Sequence, residues 1–311
     1  MPRAVFHFLI ALQAILFFAA GCTNRQFPAL RDSDARGATA DTISYHDGIG
    51  RQVNLPRHPH RIISLAPNVT ETIYLLGAND RLIGVTSQCD WPADTANKPK
   101  IGDLLNPNYE LILASRPDLI IASTAGNDRA AVLKLSDLGL PVFVTAPRSS
   151  EKIIETVQSM GAIVDCTERA GQLVSEMKMR LTEVQQRLAG LPPVRALFIT
   201  WFDPLLAPGR DTFETDVLRQ AGVQSISGGI EGFYPRYSLE QIIAQDPEVI
   251  LTVAHKAKPL PDLTRLAGWR HLRAVRNGRV YILSEVFQHP SPRYVEAVEE
   301  LAHKLHPERY R

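Results

Sequence analysis

From Cys166 to Leu191 apolar residues recur at steps of three or four, with Leu173 and Val174 side by side: Ala170, Leu173, Val174, Met177, Leu181, Val184 and Leu188. That spacing puts them in one stripe on an α-helix. Glu168, Arg169, Glu176, Lys178, Arg180, Glu183 and Arg187 fall on the opposite face. Thr167 is predicted to cap the start, and Gly190 with Pro192 and Pro193 to close the end; Thr70 and Ser150 are predicted to cap two helices ahead of it. At about 1.5 Å per residue such a helix runs roughly 35 Å. On either side, short apolar runs alternate with amphipathic segments. Residues 61–65, 82–86, 119–122 and 142–145 precede the helix, and 194–200, 249–251 and 280–283 follow it. Buried runs separated by helices predict mainly parallel sheets. Ahead of them, Ile43, Tyr45, Val53 and Leu55 flank Asp47-Gly48 and predict a hairpin.

The two flanks of the helix resemble each other. Asn108-Tyr-Glu-Leu-Ile-Leu-Ala-Ser-Arg-Pro117-Asp-Leu-Ile-Ile121 aligns with Ser238-Leu-Glu-Gln-Ile-Ile-Ala-Gln-Asp-Pro247-Glu-Val-Ile-Leu251. Glu110 matches Glu240, and Pro117 matches Pro247. Each copy reads as a short helix, a proline-marked turn and a buried strand, with Asn108 as the cap of the first helix. The predicted fold is α/β: two similar lobes with mainly parallel sheets, joined by one long rigid helix, with a ligand cleft between them. The boundaries are a first lobe over 42–165, the connecting helix over 166–191 and a second lobe over 192–311.

Composition adds exclusions. A net charge of +1 shows no nucleic-acid footprint, and 45% hydrophobic with 22% charged residues suits a globular protein. The first residues carry Arg3 and then an apolar run from Ala4 to Ala20, the pattern of a signal peptide. Ala19-Ala20-Gly21-Cys22 resembles a bacterial lipobox. The resemblance implies cleavage after residue 21 and a lipid on the Cys22 sulfur, anchoring the protein to a membrane surface. Residues 22–41, polar and without period, read as a tether. Walker A, Gly-x-Ser-x-Gly, His-Glu-x-x-His and Gly-x-Gly-x-x-Gly signatures are missing, and the nine histidines do not fall into metal spacing. His58 and His60 lie among prolines and read as exposed. No catalytic residue, resident cofactor or metal site is expected.

Arg61-Ile-Ile-Ser-Leu-Ala-Pro-Asn-Val-Thr-Glu-Thr-Ile-Tyr-Leu-Leu-Gly77, followed by Gly84-Val-Thr-Ser-Gln-Cys-Asp-Trp-Pro92, is similar to the first lobe of periplasmic vitamin B12-binding proteins. These are substrate-binding components of ABC importers, in a class that also serves haem and ferric siderophores. Cys-Asp-Trp-Pro and Ser291-Pro292-Arg293 lean towards the corrinoid branch. The resemblance implies a monomeric extracytoplasmic receptor that carries cobalamin to a permease. It places the ligand wall at Gln88, Leu104, Trp201 or Phe202, Tyr234, Glu285 and His289. Trp91 is a further aromatic candidate, and Trp269 reads as core. His289 can approach a metal, though a hydrogen bond is the commoner role.

Glu110 and Glu240 each occupy the first turn of a predicted helix, where the helix dipole favours an acid. The resemblance gives them a second role, docking onto arginines of the permease. Glu71 and Asp216 are weaker docking candidates and read as caps. Arg293 reads as structural. Cys89 and Cys166 are either free or bridged, since the implied compartment is oxidising. The alternative ligands are haem, with Tyr234 or His289 as axial group, and a ferric siderophore, for which Arg210 and Arg236 are scattered candidates. An envelope enzyme would need a nucleophile–base pair, and none is visible.

Overall fold

The computed structural model describes residues 41–253 and 260–311. The expected signal segment, Cys22 and the tether up to residue 40 lie outside the described residues. Strand β1 (Thr42–His46) pairs antiparallel with β2 (Gln52–Pro56), with Ile43 opposite Leu55 and Tyr45 opposite Val53. Asp47 holds the turn: its Oδ1 accepts hydrogen bonds from the amides of Ile49 and Arg51 at 3.1 and 2.8 Å.

Beyond the hairpin the chain alternates strand and helix. The first lobe runs β3 (Ile62–Ser64), α1 (Pro67–Leu75), β4 (Leu82–Val85), α2 (Tyr109–Ala114), β5 (Leu119–Ser123), α3 (Arg129–Asp137) and β6 (Val142–Thr145). Helices α4 (Ser150–Ile163) and α5 (Thr167–Leu188) follow. The second lobe runs β7 (Val194–Ile199), α6 (Phe213–Gln220), β8 (Val223–Ser225), α7 (Leu239–Gln245), β9 (Val249–Val253), α8 (Arg273–Arg276) and β10 (Val280–Leu283), and α9 (Tyr294–Leu305) closes the fold.

Both four-stranded sheets are parallel throughout, in the orders β4-β3-β5-β6 and β8-β7-β9-β10. Numbered within its own lobe, each sheet reads second, first, third, fourth strand. The repeated sequence segments are α2 with β5 and α7 with β9, so they occupy equivalent places. Asn108 caps α2 as expected, accepting from the Leu111 amide, and α7 has a capping box of Ser238 with Gln241.

The pleat divides each lobe's apolar residues between two faces. Leu119, Ile121 and Phe143 face a core that also takes in Ala196, Phe198, Val249 and Leu251 of the other lobe, with the α5 stripe and α9 in between. Ile120, Ala122, Val142 and Val144 face a second cluster with Ile112. Leu197, Ile199 and Ile250 face a third, with Trp269. The central core is therefore continuous through both lobes, which resists their bending apart. Every residue predicted for the α5 stripe is buried except Leu188, which is partly buried against it.

Three expected caps are corrected. Thr70 lies inside α1, which starts on Pro67, and its hydroxyl donates to Ser64 Oγ at 2.7 Å. Thr167 is the first residue of α5, and Cys166 ahead of it makes no side-chain cap. Ser149, not Ser150, caps α4. Cys89 and Cys166 are both free thiols, so the alternative of a bridge between them is overturned. Cys89 Sγ is buried 3.1 Å from Thr70 Oγ1, and burial pushes its thiol up. Cys166 Sγ instead donates to Val164 O at 3.2 Å.

Candidate functional site: a cleft between the lobes

In a parallel α/β sheet the loops at the carboxyl ends of the strands are free to form a crevice. Here the two sheets turn those ends towards a shared cavity of about 550 Å³. Thr124, Ala125 and Gly126 follow β5, and Pro147 and Arg148 follow β6. From the other lobe come Thr200 after β7, residues 211–214 at the start of α6, Phe233 and Tyr234 before α7, and Gln288 and Pro290 after β10.

The wall is aromatic with sparse polar groups. Arg148 stands over the Phe233 ring at 4.9 Å, a cation–π contact that reaches from one lobe to the other. The Tyr234 hydroxyl donates to Glu214 Oε1 at 2.8 Å. Glu214 is only 4% exposed, and its Oε2 has no hydrogen-bond partner among the described residues. Burial pushes the Glu214 carboxyl up, against the smaller effect of its hydrogen bonds. Tyr234 is pushed far up as well, by burial first and then by the charge of Glu214. A tyrosinate is therefore disfavoured at this position.

A second polar cluster pins the lobes together beside the cavity. Glu71 of α1 is 1% exposed. Its Oε1 pairs with His289 Nδ1 at 2.7 Å and lies 3.7 Å from Arg293 Nη1, while Ser291 Oγ donates to its Oε2. Burial alone pulls His289 down; the hydrogen bond and charge of Glu71 outweigh it, and the imidazole is raised. Asp216 of α6 reaches across to accept from the Ser150 amide at 2.8 Å, so it caps a helix of the opposite lobe. Burial raises Asp216, but the bonds from Ser150 and Arg219 prevail and hold it below the usual range. Neither Glu71 nor Asp216 is presented for docking: the first is sealed in the core, the second sits between lobes.

An adjoining groove of about 670 Å³ gathers Arg148, Arg210 and Arg219 with Asp211 and Asp216. The sequence suggested only scattered arginines, so this clustering is a correction. Arg219 pairs with Asp216, and Arg210 lies 3.8 Å from Glu231. Arg236 lies in neither the cavity wall nor this groove.

The periplasmic binding protein family model matches residues 62–286. The chain belongs to that family. Along its whole length it is similar to an uncharacterised ABC transporter substrate-binding lipoprotein of Bacillus subtilis, 29% identical with 97% of each chain covered. The crystal structure of the periplasmic vitamin B12-binding protein BtuF of Vibrio cholerae is 28% identical, covers 79% of this chain and 96% of its own, and superimposes with a TM-score of 0.69. A periplasmic haem-binding protein of Pseudomonas aeruginosa, 22% identical, covers 80% of this chain and 93% of its own with a TM-score of 0.73, a likeness of fold. This binding protein is thus a substrate-binding component of an ABC transporter, and its relatives are solute receptors rather than enzymes.

Of the wall residues expected in the binding protein, Tyr234 lines the cavity. His289 lies between two lining residues but is engaged by Glu71. Trp201 is half-buried, its indole N–H donating to Asp203 O at 2.8 Å, and the lining residue is its neighbour Thr200. Phe202 packs on Trp269 at 5.3 Å in the second lobe's own core, away from the cleft. Trp91 lies under the Arg293 guanidinium at 4.2 Å. Gln88 is exposed and accepts from Ser87, and Glu285 is exposed at the start of a short turn. Leu104 packs against Gly126 at the cavity's edge. Glu110 and Glu240 are exposed in the first turns of α2 and α7, at equivalent places on the two lobes. Sequence reasoning missed Arg148, Phe233 and Glu214. For Glu214 no local signal existed, because an acid in a first helical turn reads as an ordinary dipole partner.

Proposed function

We propose that this protein is a lipid-anchored extracytoplasmic receptor that captures cobalamin or a related corrinoid in the inter-lobe cleft and delivers it to an ABC permease. The observation that carries the reading is the cavity wall. Phe213, Phe233 and Tyr234 offer aromatic surface, and Thr124, Thr200, Gln288 and Glu214 offer hydrogen bonds. A corrin is a broad apolar ring rimmed by carboxamides, which needs both. The 28% identity to a B12-binding protein over most of both chains agrees with it. Glu110 and Glu240, one on each lobe, are the two points proposed to meet the permease, and Cys22 the point of lipidation. The protein works as a monomer.

A ferric siderophore is the second reading, favoured by the groove of Arg148, Arg210 and Arg219, which would suit an anionic chelate. Haem is less well served, because burial and then Glu214 hold Tyr234 as a phenol, and His289 is engaged by Glu71. Calorimetric titration with cyanocobalamin, haemin and a ferric siderophore in parallel tests the choice. One-to-one binding of cyanocobalamin alone supports the corrinoid; siderophore or haemin bound instead rejects it and keeps the receptor.

A further inference from the structure

Glu214 is the buried charged residue of the cavity wall; Arg148 and Asp211 on the same wall are exposed. A carboxyl 4% exposed, with one oxygen held by Tyr234 and the other without a partner among the described residues, is costly to bury. Such a group persists when something completes it in the working state. Since Glu214 borders the cavity, the ligand is what can complete it.

We propose that Glu214 is the specificity-determining group of the cleft: its Oε2 reads a primary carboxamide of the ligand and rejects a carboxylate at the same place. The inference rests on the cleft being the ligand site. An amide suits the carboxyl in either protonation state. Its N–H donates to the carboxylate, or its carbonyl accepts from the acid. A ligand carboxylate has no proton to donate, so the ionised Glu214 repels it and it binds only where Glu214 keeps a proton to share; an amide binds without that condition. Tyr234 is the positioning partner, since its hydroxyl fixes which oxygen is left over. Oε2 is closed to water, so the ligand reaches it by displacing exposed side chains of the cavity wall such as Phe233, 45% exposed, while Tyr234 keeps hold of Oε1. The charged groups on the same wall are Arg148 and Asp211, both at its exposed rim.

The test compares cyanocobalamin with its monocarboxylic acids, in each of which one rim carboxamide is hydrolysed, on wild type and on Glu214→Gln. Wild type is expected to bind at least one acid about tenfold or more weakly than the parent, and Glu214→Gln to erase that ratio, because its amide can donate to a carboxylate. Using the ratio keeps the reading valid if the variant is less stable. An equal ratio in both proteins, or no discrimination by wild type, overturns the proposal. If wild type binds no corrinoid, the corrinoid reading fails separately, and the same substitution is read on haemin, whose propionates are carboxylates. Tighter haemin binding by Glu214→Gln then supports the role of Glu214, and unchanged binding overturns it.

Discussion

Glu71 is the residue whose removal should be felt most widely. It answers His289, Ser291 and Arg293 from inside the core. Glu71→Ala leaves His289 and Ser291 without their acceptor, while Arg293 keeps Glu296, and should cost about 3–5 kcal/mol in urea unfolding. The same cluster sets a pH dependence. His289 binds its proton more tightly folded than unfolded, so its contribution is complete below the unfolded value near 6.5 and fades as pH rises through the higher folded value. The urea midpoint should therefore fall on going from pH 6 upward across that window, and His289→Gln should flatten this component. An unchanged slope in the variant would assign the dependence elsewhere. Tyr234→Phe should destabilise by about 1–3 kcal/mol, because it takes the donor from a buried carboxyl. None of these partnerships shows in sequence: Glu71 and His289 stand 218 positions apart, and no local period links them.

At the scale of elements, the sequence was readable wherever the determinants are local. The α5 stripe, the Asn108 and Ser238 caps and the Asp47 turn follow from spacing and short-range hydrogen bonding, and the structure has them. Thr70 and Ser150 were misplaced as caps because each helix begins earlier or is bonded from afar: α1 starts on Pro67, and Ser150's amide goes to Asp216. Helix α5 is tied to α9 by Arg180 and Glu299, whose Nε–Oε1 distance is 2.7 Å. With the pair 40% and 35% exposed, solvent screening limits its worth, and a double-mutant cycle should return no more than about 1 kcal/mol. Met177→Ala, by contrast, opens the shared core at 2% exposure and should cost about 2–5 kcal/mol. A larger coupling energy than core cost would reverse this ranking of what holds the helix.

For the whole molecule, the repeat seen at Glu110 and Glu240 becomes two sheets of identical strand order, and their carboxyl ends explain where the cleft lies. The architecture was legible because the repeat and the long helix are written in the chain. The wall was only partly legible: Phe202 belongs to a lobe core, Trp91 stacks on Arg293, and Arg148, Phe233 and Glu214 meet only after folding. Glu110→Ala with Glu240→Ala should leave ligand affinity intact while uptake by cells carrying the permease falls, since both residues lie away from the cavity. Loss of affinity in that double variant would count against a docking role. The cleft itself is tested most directly by calorimetry of cyanocobalamin with wild type and Tyr234→Ala. The account predicts one-to-one binding to wild type, weakened by at least about 2 kcal/mol in the variant, as for an aromatic anchor. Binding that ignores Tyr234→Ala would place the ligand somewhere other than between the lobes.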